Sequence, residues 1–232
     1  MDIRLVHTKI KIRLNKLDSG DYDNISCYLI NEAFNKAQKE WCRRQIHGNN
    51  QTREGSEQTK QRVSDLQILL KDLPIKGTNY KNYFETVILP KDILRFEKIQ
   101  AIAKTKECTE GKPIDIDFVE EGNAPDLLKD WSTKPSFEWA ETFNTVLSNK
   151  VRVYTSGEFS IDDATITYYR QPKDVSIENC EDILGIQHGN VDPEFADDVV
   201  ELLIDETVSI LAGDIESFNT MQTAEKRKEL NN

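Results

Sequence analysis

The sequence predicts an α+β protein: a helical bundle, built from a long N-terminal helix pair and a long C-terminal helix, that carries an antiparallel β insertion. Three observations predict it. Residues 14–48 hold Ile25, Leu29, Ala33, Ala37 and Trp41, with Ile30 and Phe34 alongside, at the three-to-four spacing of one helical stripe. Residues 137–170 alternate with period two between turn signals. From Asp192 onward Phe195, Val199, Leu202, Leu203, Ile210, Leu211, Ile215 and Phe218 return to helical spacing. The division that follows is residues 1–80 and 173–219 as the bundle, 81–172 as the β-rich insertion and 220–232 as a polar, flexible tail.

The chain opens with a basic-apolar alternating segment, Lys9-Ile10-Lys11-Ile12-Arg13-Leu14. In the first long helix Asp21 or Asp23 is placed to cap the start, and Gly48-Asn49-Asn50 supplies a left-handed stop. Lys36, Lys39, Arg43 and Arg44 crowd its second half, where the helix dipole favours cations. A second helix starts at Ser56 and carries Val63, Leu66, Leu70 and Leu73 until Pro74 ends it. Residues 83–90 read as a strand or extended lead-in, 96–103 as ambiguous between strand and helix with strand favoured, and 112–118 as a half-buried strand alternating Ile114, Ile116 and Phe118 with Asp115 and Asp117. Asn123 with Pro125 signals a short helix to Trp131. Three runs, 138–145, 151–155 and 164–170, separated by Ser148-Asn149-Lys150 and Ser156-Gly157, predict an antiparallel meander. Asp192-Pro193 reads as cap and first residue of the last helix, which Gly213 could bend.

A chain of 232 residues can bury a substantial core, and no run approaches the ~18 apolar residues a membrane span needs. Without the apolar core of a signal peptide at its start, the protein is expected to be made and used without export. Cys27, Cys42, Cys108 and Cys180 form no CxxC, so neither a zinc site nor a disulfide scaffold is expected. The net charge of −11 argues against DNA or an anionic membrane as a main ligand. Sign is segregated: residues 36–62 carry seven Lys or Arg against three acids, whereas residues 192–216 carry nine acids and no Lys or Arg. These blocks could pair within one subunit, pair between neighbours, or stand as solvated faces.

No phosphate-binding, dinucleotide-binding or hydrolase signature is present, and no catalytic residue, cofactor or metal site is assigned. The acidic pairs Asp115 and Asp117, Glu120-Glu121, Asp162-Asp163 and Asp197-Asp198 are expected to be solvent-facing carboxylates. Residues 115–120 fail the calcium-loop pattern, which needs an oxygen ligand and then a glycine at its fifth and sixth positions. Trp41 beside Arg43 and Arg44 invites base stacking, but on a helix Trp41 lies on the apolar stripe and the arginines point elsewhere.

The run NEAFNKAQKEWCRRQIHG with the SEQTKQRVSDLQILLKDLP that follows resembles the N-terminal helical pair of head-to-tail connector proteins of tailed phages, closest to the ring or adaptor proteins of crAss-like podoviruses. Tyr168-Tyr169-Arg170-Gln171-Pro172 is similar to the strand ending that family's β insertion, and the helix from Asp192 to its final helix. The resemblance implies a virion protein without enzymatic activity, a homo-oligomeric ring of about twelve copies below the portal, closed by heterologous contacts. It implies as partners the portal protein, other neck and tail rings, and genomic DNA passing through the channel without specific binding, with no membrane. Candidate subunit or portal contacts are Trp41, Arg43, Arg44, Lys226, Arg227 and Lys228, and a candidate channel-facing acidic helix presents Asp197, Asp198, Glu201 and Asp205. Two alternatives stand beside it: a ring lower in the neck or tail, and a metal-binding regulatory or enzymatic α+β protein using acids such as Asp115 and Asp162.

Overall fold

A computed structural model describes residues 1–15, 25–47, 64–181, 185–214 and 226. The chain divides into two compact units, Met1–Ile68 with Pro172–Asn232, and Leu69–Gln171.

The second unit overturns the predicted fold class. In place of a helical bundle with an antiparallel insertion, this unit carries a mixed eight-stranded sheet that nearly closes into a barrel, with one helix of 6 residues, and the described helices of the first unit are 13, 21 and 18 residues long. The strands are β1 (Leu70–Ile75), β2 (Gly77–Asn79), β3 (Tyr83–Thr86), β4 (Ile93–Lys104), β5 (Lys112–Phe118), β6 (Glu141–Leu147), β7 (Lys150–Tyr154) and β8 (Ser160–Arg170), ordered β1-β8-β4-β5-β6-β7-β3-β2. All neighbours are antiparallel except β5 and β6. That parallel step needs a crossover, supplied by residues 119–140 with the short helix α3 (Ala124–Lys129). Asn123 stands at its start but makes no side-chain cap.

The largest single correction is at residues 70–75. Leu70 and Leu73, read as a helical stripe, lie in β1, where Leu73 pairs with Ile166 and Pro74 with Thr165. Pro74 does not end a helix; it sits in a terminal strand of the sheet, where a missing amide hydrogen is tolerated. Asp21, Asp23, Gly48 to Asn50, Ser56 and Val63 fall outside the described residues, as do Ile215 and Phe218. The meander is corrected too: β7 pairs with β6 and β3, so neither edge is left for β8, which pairs with β1 and β4. Thr155 and Ser156 amides both donate to the Asn82 carbonyl at the end of β7.

Closure follows from three local devices. Register shifts at Ile93/Arg95, Phe96/Lys98 and Ala101/Ala103 curl the long β4–β8 ladder. The terminal strands β1 and β2 are separated only by Lys76, so the two ends of the sheet order are tied together. The Asn79 side chain then bridges β2 to β8, its amide donating to the Ile161 carbonyl at 2.7 Å and its oxygen accepting from the Ile161 amide at 3.0 Å. Inside lie Phe84, Ile99, Ala101, Ala103, Ile114, Val151, Val153, Ile161, Ile166 and Tyr168. A Cβ on Gly77 would stand 2.3 Å from the Phe84 ring and 2.5 Å from the Glu85 carbonyl, so only glycine admits that approach.

The first unit is built on α1 (Ile3–Asn15), α2 (Cys27–His47) and α4 (Asp197–Asp214), with residues 64–66 helical as well. The basic-apolar segment at residues 9–14 is helical: Ile3, Val6, Ile10 and Leu14 recur at helical spacing and are buried. Asp192 does not open α4; its carboxylate accepts the Ile3 amide at 2.8 Å and holds the start of α1. Residues 203–208 of α4 are buried without interruption, so the middle of this helix is enclosed while its start at Asp197 and Asp198 is exposed. Cys27 and Cys180 form a disulfide, which corrects the expectation that no bridge is present.

Candidate interaction surfaces

The acidic helix faces inward along most of its length. Arg13 reaches Asp205 at 2.7 Å and also pairs with Glu201, which Lys9 engages as well; Arg44 donates to Glu206 at 2.6 Å. Burial would raise the Glu201 carboxyl, but hydrogen bonds from Lys9 and Arg13 outweigh it and hold it below the usual carboxylate range. Of the four acids read as channel-facing, Glu201 and Asp205 are therefore engaged by cations of the same chain, and only Asp197 and Asp198 are exposed. Asp197 meets the Met1 amine at 2.8 Å. Asp65, raised by burial and then by Asp198, shares that edge.

The predicted contact residues scatter. Trp41 is buried, edge-on to Phe195 with ring centroids 5.1 Å apart, so it is a core residue and no surface anchor. Arg44 is spent on Glu206, whereas Arg43 is exposed on α2. Lys226 is exposed; Arg227 and Lys228 lie outside the described residues.

A polar seam joins α2 to the segment after the barrel. Asn35 acts like a strand edge toward Val175, donating to its carbonyl at 3.2 Å and accepting from its amide at 2.7 Å. His7 shares a 2.7 Å hydrogen bond with Asn31, whose amide lies 3.6 Å from the Cys180 sulfur. Burial lowers the His7 pKa, against the Asn31 bond and with a smaller push from Lys11. Cys42 is buried and its thiol pushed up to about 12 by burial, so it is not a nucleophile at neutral pH.

The acids considered for metal binding do not converge. Asp162 pairs with Lys104 at 2.7 Å, and Asp115 is exposed on β5. Among the described residues no group of three or more His, Cys, Asp or Glu side chains is arranged to hold a metal ion, and no helix is long and apolar enough to cross a membrane.

The barrel unit carries two surface patches that sequence periodicity did not mark. Trp131 and Trp139 flank one groove and are 80% and 74% exposed. Val87 and Ile88, after β3, are 53% and 68% exposed, as are Val146 and Leu147 in part. Neither a protein-family model nor a curated protein matches this chain.

Proposed function

We propose that this chain is a structural virion subunit that forms a ring of about twelve copies below the portal of a tailed phage, joining capsid to tail and continuing the DNA channel. The observation that carries the proposal is that the two segments most similar to connector proteins, the helix over NEAFNKAQKEWCRRQIH and the helix after Asp192, pack together in one unit. Trp41 against Phe195 and Arg44 on Glu206 join them, while of the other resembling stretches residues 70–74 and Tyr168–Arg170 lie in strands of the barrel unit. The overall charge of −11 suits a channel component past which DNA slides without sticking. On this reading the protein acts by assembly, without catalysis, with the portal and the other neck and tail rings as its partners.

The test is co-assembly with the portal protein of the same phage, followed by sedimentation and negative-stain imaging. A portal-bound ring layer is expected. A chain that neither sediments with the portal nor decorates it contradicts the proposal.

A further inference from the structure

The barrel unit presents two unlike surfaces at opposite ends of β6. At its start, a bridge between Ser136 and Glu141 closes the turn through Phe137, Glu138, Trp139 and Ala140. Phe137 packs into the barrel, its ring 6.2 Å from that of Phe159, and Ala140 takes a left-handed conformation at φ 58. This locked turn presents Trp139 to solvent beside Trp131, which follows α3. Left-handed backbone at a non-glycine residue persists only where surrounding structure enforces it, and such positions cluster at functional surfaces. The groove between the tryptophans is lined by Asp117, Glu138 and Glu141, none of which has an ion pair among the described residues, and by Lys134 paired with Glu158. It is therefore aromatic and acidic.

The far end of β6 is the reverse. There the turn after Leu147 accepts the Leu89 amide at Asn149, and the Val87 amide donates to Lys76. Val87, Ile88, Val146 and Leu147 are exposed in the segments these bonds bring together, and Lys76 and Lys91 are exposed with no ion pair among the described residues. This end is aliphatic and basic. A seven-residue strand separates the two ends by about 20 Å, so one copy cannot satisfy both from within.

We propose that copies of this chain associate head to tail through these two ends, the two-tryptophan acidic groove of one copy receiving the Val87–Ile88 segment, with Lys76 and Lys91, of the next. Charge complementarity between the unpaired acids of the groove and the unpaired lysines of the insert selects a second copy as the occupant, and large aromatics are the anchors such contacts favour. A contact between unlike patches is heterologous, so any open array keeps one free groove at one end and one free insert at the other, and it ends only by closing. That it closes into a ring rests on the function proposed above; the contact itself does not.

The test uses the full chain in two variants at exposed positions: Trp131→Ser with Trp139→Ser, and Val87→Asp with Ile88→Asp. Thermal unfolding confirms that each folds. In sedimentation velocity the wild type is expected to associate as concentration rises, while each variant alone loses at least about tenfold in association. A one-to-one mixture of the two is expected to form dimers and stop there, because only one intact groove and one intact insert remain per pair. Either variant assembling like the wild type overturns the contact while leaving a ring built through another surface. A wild type that stays monomeric up to its solubility limit overturns it as well, whatever the portal does. If the mixture dimerises but the wild type ignores the portal, the contact stands and the connector function fails.

Discussion

Arg13 and Arg44 decide which way the acidic helix α4 faces. Glu206, with its side chain 4% exposed, could not sit inside the unit without the Arg44 guanidinium, because an ionised carboxylate away from water needs a cation and hydrogen bonds. Arg44→Met should lower stability by about 3 kcal/mol, near the bottom of the range for breaking a buried pair, since the arginine is itself partly exposed. Denaturant unfolding measures it. Acid acts on this unit through two windows. His7 binds its proton less readily folded than unfolded, so its contribution is complete above about pH 6.5 and is lost as pH falls from there toward the lowered folded value. Glu201 has the depressed carboxyl, so its contribution is present above the ordinary glutamate range and is lost only at lower pH, as the folded group protonates. Stability of the wild type should therefore begin to fall as pH drops below about 6.5, and His7→Gln should flatten that limb without changing the more acidic one. The segregation of charge between residues 36–62 and 192–216 was visible in sequence; the choice between internal pairing and exposure was not, because it depends on α4 being enclosed.

Strand closure and the disulfide are properties of whole elements. Asn79 stands in for a ladder residue between β2 and β8, so Asn79→Ala should remove two hydrogen bonds and cost about 1–3 kcal/mol. Hydrogen exchange is the direct readout: the Ile161 amide should lose protection while the β6–β7 ladder keeps its own. Cys27 and Cys180, 153 residues apart in sequence, tie the start of α2 to the segment after the barrel. Such a bridge persists in an oxidising setting and is reduced in a cytosol. Reduction, or Cys27→Ser, should lower stability by about 2–5 kcal/mol, read as a fall in thermal midpoint that reductant does not deepen in the variant. Element types over 112–118 and 151–155 were legible because alternation survives wherever one strand face is buried, whereas 96–103 left helix and strand both open. The reading failed at 70–75 for a definite reason. Leu66, Leu70 and Leu73 mimic a helical stripe, but Leu66 ends a helical stretch, Leu70 is largely exposed and Leu73 is half-buried beside Ile166 across a ladder. Pairings such as β7 with β3 join residues far apart in sequence, and no local pattern records them.

The whole molecule combines a helical unit organised by ion pairs with a barrel whose two ends differ in chemistry. The groove residues Trp131 and Trp139 escaped sequence reading because they were placed at the end of a short helix and inside the run 138–145, whereas the strand starts only at Glu141 and both rings stand in the turns before it. The disulfide escaped it because spacing alone cannot pair cysteines so far apart. Assembly of this chain through unlike surfaces into a closed ring is the proposal on which the functional reading turns. Mass photometry of the purified protein, alone and on its portal, measures that directly. One discrete species near about twelve times the 26.7 kDa chain mass, added as a single layer on the portal, is the predicted result. A monomer under both conditions, or an unbroken ladder of open polymers, would contradict it.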